Sequence, residues 1–334
     1  MPLLVLSAAD VRAALGWGAC AEAMRAALAA RARGEIFQPL RAVLRPDGAP
    51  GLMALMPSYQ AGAGYGLKAI CITPGNPAAG LDAHQGVVLV SDPGTGEPAA
   101  VLNASALTEI RTAAVSAVAT SLLARPDADV LAIIGTGVQA RAHLAAIAAT
   151  RPLAQVRVAG RTAARAEEFA AAARSGAAGP DAAGIPVVAC ARAGDAVAGA
   201  GIVVTATTSD VPVLRREWLA PGTHVNAVGA CLPHARELDT VTVAAAALFA
   251  DSRESVLAES GDYLLAAAEG AVGPGHVRAE VGDLLAGLSG DGRRDAEEIT
   301  VFESLGLAAE DLAAALAAHR AAVDLGIGTW IDFG

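Results

Sequence analysis

The stretch VLAIIGTGVQARAHLAAI, residues 130–147, decides the fold. An apolar run stops at Gly135, the turn Gly135-Thr136-Gly137 follows, and the small Ala140 comes after two further residues at the start of an Ala-rich helical segment. This is the GxGxxG/A pattern set between a strand and a helix. The first glycine makes the tight turn, the second lets the backbone approach a pyrophosphate, and the small third residue lets the helix pack closely. Free N–H groups at the helix start then bind the anion. A merely structural tight turn is the alternative, and the downstream sequence weighs against it.

Working outward, VRVAG (156–160), PVVAC (186–190), GIVVTAT (201–207), HVNAVGA (224–230) and ALFADS (247–252) alternate with Ala-rich or loop-like segments. Such alternation predicts βαβ units and a parallel sheet covered on both faces. Ligands bind at the carboxyl ends of such strands, which points to Thr205, Thr207 and Val228 as cofactor contacts or as ordinary turn residues. An NAD site usually carries an acid at the end of the second strand; here the residues are Gly160-Arg161-Thr162. Arg161 can pair with a 2′-phosphate and Thr162 can hydrogen-bond it, so NADP(H) is expected ahead of NAD(H). The alternative for Arg161 is a solvated surface arginine.

Upstream, residues 105–125 are helical and close at Arg125-Pro126-Asp127. Before them, residues 40–103 break into short apolar runs separated by turn residues, which predicts a small, mostly antiparallel β region. Residues 7–34 predict one or two helices with Ser7 as N-cap. After Gly-rich loops at 270–277 and 286–295, a last helix is expected from about Ser304.

The 334 residues suggest two domains at roughly 100–200 residues each. A chain that is 54% hydrophobic and 17% charged is globular. Its net charge of −10 leaves no basic surface for nucleic acid or for an anionic membrane. Gly, Pro and polar residues break weakly charged stretches such as 48–67 and 218–235, so no membrane span is expected, and the first residues lack the basic and apolar regions of a signal peptide. Four widely spaced cysteines without a CxxC pair fit neither a disulfide framework nor zinc, and imply a reducing cytoplasm. No histidine pair has metal-ligand spacing, so no metal is expected.

Of the 24 basic side chains, 23 are arginine and one is Lys68. In GLKAICI, alternation puts Lys68 on one strand face with Ile70 and Ile72, and Leu67, Ala69 and Cys71 on the other. A chain that uses arginine everywhere else keeps an amine here, and an ammonium can exchange a proton near neutral pH where a guanidinium cannot. The competing account is an edge-strand lysine that discourages aggregation. Arg41, at the start of the first β run, and Arg111, inside the apolar helix ALTEIRTAAVSAVAT, are its natural partners in gripping a carboxylate. For Arg111 the alternative is a surface arginine paired with an acid. His143 and His319 sit on predicted helices as structural residues, whereas His84 and His224 are expected near the cleft.

With these residues in place the chain resembles the ornithine cyclodeaminase/mu-crystallin family over nearly its whole length. The matching stretches include LMALMP, GEPAAVLNASALTEIRTAAVSAVAT, IIGTGVQARAHL, GRTAARAEEFA, TATTSDVPVL, PGTHVNAVGA, DSRESVLAESGD and ITVFESLGLAAEDLAAA. The resemblance implies a Rossmann-type doubly wound domain over 118–305. It also implies a smaller α+β domain for substrate binding and dimerisation, built from 1–117 and 306–334, and hence a homodimer. By position in these motifs, Arg41, Lys68 and Arg111 would hold a substrate carboxylate. Ser116, Gly135, Thr136, Gly137, Val138, Gln139, Arg161, Thr162, Thr205, Thr207 and Val228 would line the cofactor, with Ser304 to Gly306 near the nicotinamide. His84 and Gln85 look like the His-Gln pair of the ketimine reductases.

The resemblance also sorts activities. Cyclodeaminases carry a glutamate where this chain has Ala54 and a catalytic aspartate where it has Cys231. Releasing ammonia from a diamino acid needs such carboxylates, so the implied activity is NAD(P)H-dependent reduction of a cyclic ketimine alpha to a carboxylate. The alternatives are an amino-acid dehydrogenase or reductive aminase on 2-oxo acids, a cyclodeaminase, and a non-catalytic NADPH-binding protein.

Overall fold

The computed structural model describes residues 2–334, and the chain divides into two compact units. One unit runs to Arg111 and resumes over Gly306–Gly334; the other is Thr112–Leu305. The first division falls six residues before the boundary expected at 117. It lies inside one continuous helix, where composition leaves no mark.

The first unit opens with β1 (Pro2–Leu6), which the sequence reading did not anticipate, and then α1 (Ala8–Ala14) and α2 (Trp17–Ala32). Ser7 starts α1 as a capping box: Asp10 N donates to Ser7 Oγ at 3.2 Å and Ser7 N donates to Asp10 Oδ2 at 2.9 Å. These bonds satisfy donors that a helix start leaves without partners. Next come β2 (Ile36–Phe37), β3 (Ala42–Leu44), β4 (Leu52–Gln60), β5 (Gly64–Ile72), β6 (His84–Ser91) and β7 (Pro98–Asn103). α3 (Ala104–Leu123) contains the division. It is long and apolar enough to cross a membrane, but it is mostly buried within the protein, as a core helix is.

In the second unit the order is β8 (Val130–Ile134), α4 (Val138–Ala148), β9 (Gln155–Ala159), α5 (Ala163–Ala172), β10 (Val187–Cys190), α6 (Ala193–Val197), β11 (Ile202–Thr205) and β12 (His224–Ala227). Then follow α7 (Thr240–Ala245), β13 (Ala247–Ala250), α8 (Arg253–Glu259), α9 (Gly261–Ala268), β14 (Val277–Glu280), α10 (Val281–Leu285) and β15 (Thr300–Glu303). Every strand pairing in this sheet is parallel, and the strand order is β10-β9-β8-β11-β12-β15-β13-β14. β11, β12, β13 and β15 are buried at every residue, which is why they read as short apolar runs without alternation. β14 and β15 were not expected. Four residues beside Gly-rich loops are too short for periodicity to identify, although β15 sits in the middle of the sheet.

The chain then returns to the first unit with α11 (Ala308–Leu325) and β16 (Thr329–Asp332). The last helix thus begins at Ala308 rather than at Ser304, because residues 304–307 are non-helical up to the extended N-cap Leu307. The first unit's sheet has the order β16-β1-β7-β6-β5-β4-β2, with β3 also on β4; among the described residues only the β1–β7 pair is parallel. Its inner face carries Ala54, Met56, Lys68, Ile70, Val88 and Leu102, all buried, and α11 packs on it. The opposite face presents Met53, Tyr65 and Val87 as exposed residues, with Leu55, Leu67 and Val101 half-buried.

Candidate active site

In the first unit the chemistry gathers around Lys68. Alternation along β5 turns it inward, level with Met56 on β4 and Val88 on β6, and it is buried. Its Nζ lies 2.8 Å from Asp311 Oδ2. Arg111, buried on α3, donates from Nε to Asp311 Oδ1 and from Nη1 to Glu310 Oε2, each at 2.9 Å. Both carboxylates come from the first turn of α11, where the helix dipole favours negative charge, and Glu310 Oε2 also accepts from Leu307 N at 3.1 Å.

Arg41 donates from Nη2 to the Gly306 carbonyl at 3.1 Å. Gly306 has φ +80°, and a Cβ there would stand 2.6 Å from Arg111 Nη1, so the position demands glycine on both counts. The two arginines therefore meet at one residue. Three cations, Lys68, Arg111 and Arg41, thus gather at the start of α11, two of them paired with its carboxylates. Burial pushes Lys68 down to about 8; Asp311 opposes the shift, and Arg111 and Arg41 add to it. His84, an exposed residue at the start of β6, is lowered by loss of hydration and then by the charges of Lys68 and Arg111. Its carbonyl accepts from Ser105 Oγ. Cys20 lies near Arg111 and Glu310, and burial pushes its thiol up to about 12, so it stays neutral.

In the second unit the turn between β8 and α4 has the geometry a dinucleotide needs. Gly135 has φ +127°, and a Cβ there would stand 2.3 Å from the Ala206 carbonyl oxygen. Gly137 is the N-cap of α4 with no side-chain cap bond, and a Cβ at that position would meet nothing within 4 Å. The helix start is thus an open cradle of N–H groups, which fits a phosphate. Ala140 is buried, Thr136 lies against Gly160, and Val138 is exposed.

Gln139 and Ser116 are joined through His143, whose Nδ1 lies 2.7 Å from the Gln139 carbonyl oxygen and whose Nε2 lies 2.9 Å from Ser116 Oγ. A carbonyl only accepts, so Nδ1 carries the proton and Ser116 donates to Nε2. Burial holds His143 down to about 4, which keeps the ring neutral. Arg161 and Thr162 are exposed beyond β9, and Thr162 Oγ1 already accepts from Arg165 N as the cap of α5. Thr205 and Val228 are buried at their strand ends, and Ser304 N donates to the Ala227 carbonyl at 2.9 Å. His224 departs from expectation. It opens β12 at the amino end, buried against Thr300 Oγ1 at 2.9 Å, away from the strand ends that receive ligands.

Several supporting acids were not anticipated. Glu237 accepts from Thr207 N at 2.6 Å and Gly229 N at 2.7 Å, tying together the loops after β11 and β12. Asp251 accepts from Leu305 N at 2.7 Å and so holds the loop after β15. Burial raises Glu237, Asp262 and Glu303. Glu310 and Asp311 could have been noticed as two acids opening an otherwise apolar helix in AAEDLAAA. Glu237, Asp251 and Asp262 act through backbone amides, which no spacing rule reveals. Ala54 is buried beside Ile70 and Cys231 is half-buried, so neither position supplies a carboxylate.

The sequence model of the ornithine cyclodeaminase/mu-crystallin family matches residues 2–324. The chain is 38% identical over 283 residues to the ketimine reductase mu-crystallin of Mus musculus, covering 84% of each. It is similar to the solved structure of Thermococcus litoralis Delta(1)-pyrroline-2-carboxylate reductase in complex with NADH and L-proline. There the TM-score is 0.92 and the identity 35%, over 98% of this chain and 99% of that one. An archaeal alanine dehydrogenase dimer with bound NAD matches at TM-score 0.92 and 31% identity over the full length of both chains.

Proposed function

The chain belongs to the ornithine cyclodeaminase/mu-crystallin family, and we propose that within it the protein is an NAD(P)H-dependent reductase of cyclic ketimines alpha to a carboxylate, of the pyrroline-2-carboxylate or piperideine-2-carboxylate type. The observation that carries this reading is the cationic cluster of Lys68, Arg111 and Arg41 beside an apolar wall of Met56, Ile70 and Val88. Such a site suits a carboxylate attached to a hydrocarbon ring. Positions 54 and 231 carry no carboxylate for a second amine.

A nicotinamide cofactor held at the 135–137 turn would supply the hydride for the new C–H bond. The C=N π pair moves to nitrogen, which takes a proton from Lys68 Nζ, and solvent returns that proton to the amine. Arg111 and Arg41 hold the substrate carboxylate, so that most of the rate gain is positioning. Lys68 alone among these cations can give up a proton near neutral pH.

A screen of NADPH oxidation decides the reaction. Pyrroline-2-carboxylate and piperideine-2-carboxylate should be reduced without added amine. Turnover only when a 2-oxo acid and ammonia or an amine are both present would make the protein an amino-acid dehydrogenase or reductive aminase instead.

NADP(H) is the preferred cofactor in this reading, supported by the exposed Arg161 at the end of β9 and the absence of an acid there. Arg161→Ala should raise the Michaelis constant for NADPH about tenfold or more while leaving that for NADH nearly unchanged. Equal effects on the two would remove the preference. The homodimer is supported by the uncovered apolar sheet face that bears Met53, Tyr65 and Val87, and a chain that sediments as a monomer would count against it.

A further inference from the structure

We propose that Asp311 is the positioning residue of the first unit's site, a single carboxylate that holds the Lys68 ammonium with one oxygen and the Arg111 guanidinium with the other. This inference rests on the ketimine-reductase reading and names the group that readies its proton donor.

The geometry argues for it. Asp311 Oδ2 is 2.8 Å from Lys68 Nζ and its Oδ1 is 2.9 Å from Arg111 Nε, and all three side chains are buried. A lysine stem has four rotatable carbons, whereas an aspartate on the first turn of a packed helix has almost no freedom, so the aspartate dictates where the ammonium sits. Glu310 takes the other edge of the guanidinium through Nη1, which fixes its plane and leaves Asp311 as the bridge.

The charged and titratable groups that act on or adjoin Lys68 are Asp311 and Glu310 on α11, Arg111 on α3, Arg41 before β3, and His84 on β6. Burial, Arg111 and Arg41 all favour the neutral amine; Asp311 is the carboxylate in ion-pair contact that favours the ammonium. When Lys68 delivers its proton, the same carboxylate draws the replacement. Because Asp311 also fixes Arg111, donor protonation and the substrate grip are set by one side chain.

The sequence makes a direct test available. Lys68 is the sole lysine of the chain, so protein grown with lysine labelled with carbon-13 at Cε gives one side-chain signal whose pH titration belongs to Lys68 alone. In the wild type that signal should titrate near pH 8. In Asp311→Asn it should titrate about 1–3 units lower, and the alkaline fall of kcat/KM for imine reduction should move down with it. Asp311→Glu keeps the charge but displaces its oxygens. It should titrate with the wild type, lose kcat, and keep its KM for NADPH.

An Asp311→Asn signal that titrates with the wild type overturns the proposal. If that variant does not fold, wild-type kcat in Asp311→Glu overturns the positioning role by itself. A wild type that reduces no imine would sink the ketimine-reductase reading, while the lysine titration would still report on Asp311.

Discussion

Lys68→Arg lowers kcat for imine reduction by about a hundred- to ten-thousand-fold, the range over which a positioned acid contributes. The substitution keeps a positive charge beside Asp311, so substrate attraction persists. It removes the only cation of the cluster able to release a proton near neutrality. The pH profile separates the two contributions. In the wild type the ammonium is the active form, so kcat/KM for reduction is full below the Lys68 pKa and falls as pH rises through about 8. In Lys68→Arg that alkaline limb disappears, because a guanidinium keeps its charge there. Steady-state kinetics across the pH range measures both effects. Near-normal turnover with an unchanged limb would leave Lys68 as a carboxylate clamp and nothing more.

Arg111→Met is the second large effect, and it falls on stability as well as catalysis. The guanidinium stands between Glu310 and Asp311 in a region closed to water. Taking it away leaves buried negative charge that had been matched, at a cost of about 3–5 kcal/mol. Denaturant unfolding measures the loss.

Its pH dependence has a definite sign. In the variant a buried carboxylate without its cation prefers to be protonated, so the deficit narrows as pH falls and widens as it rises. A deficit independent of pH would mean that lost packing, rather than stranded charge, is responsible. Activity should fall too, with kcat/KM for the imino acid reduced at least about a hundredfold, because the substrate carboxylate loses its main anchor.

Much of this molecule could be read from its residues, and the parts that could not share a cause. The turn at Gly135 announces itself because a phosphate cradle needs particular small residues at fixed spacing. Lys68 is visible because its chemistry differs from that of every other cation in the chain. β15 stayed hidden because four buried residues carry no period, and its central place in the sheet is decided by pairings with distant strands. Asp311 and Glu310 stayed hidden for a related reason. They are separated from Lys68 and Arg111 by most of the chain, and only folding shows that two acids at the start of an Ala-rich helix are the counterions of cations some 200 residues earlier. His224 misled because adjacency to a strand does not say which end of the strand it occupies.

That separation has a consequence for how the protein is made. The residues up to 305, including the whole second unit, leave the ribosome before α11 exists, so Lys68 and Arg111 spend that interval without Asp311 and Glu310. A domain that begins a chain usually folds first during synthesis. Here the first unit must wait for α11, and its sheet cannot neutralise the cations of its interior until that helix arrives. The middle of the chain is free to fold while its beginning is still held open.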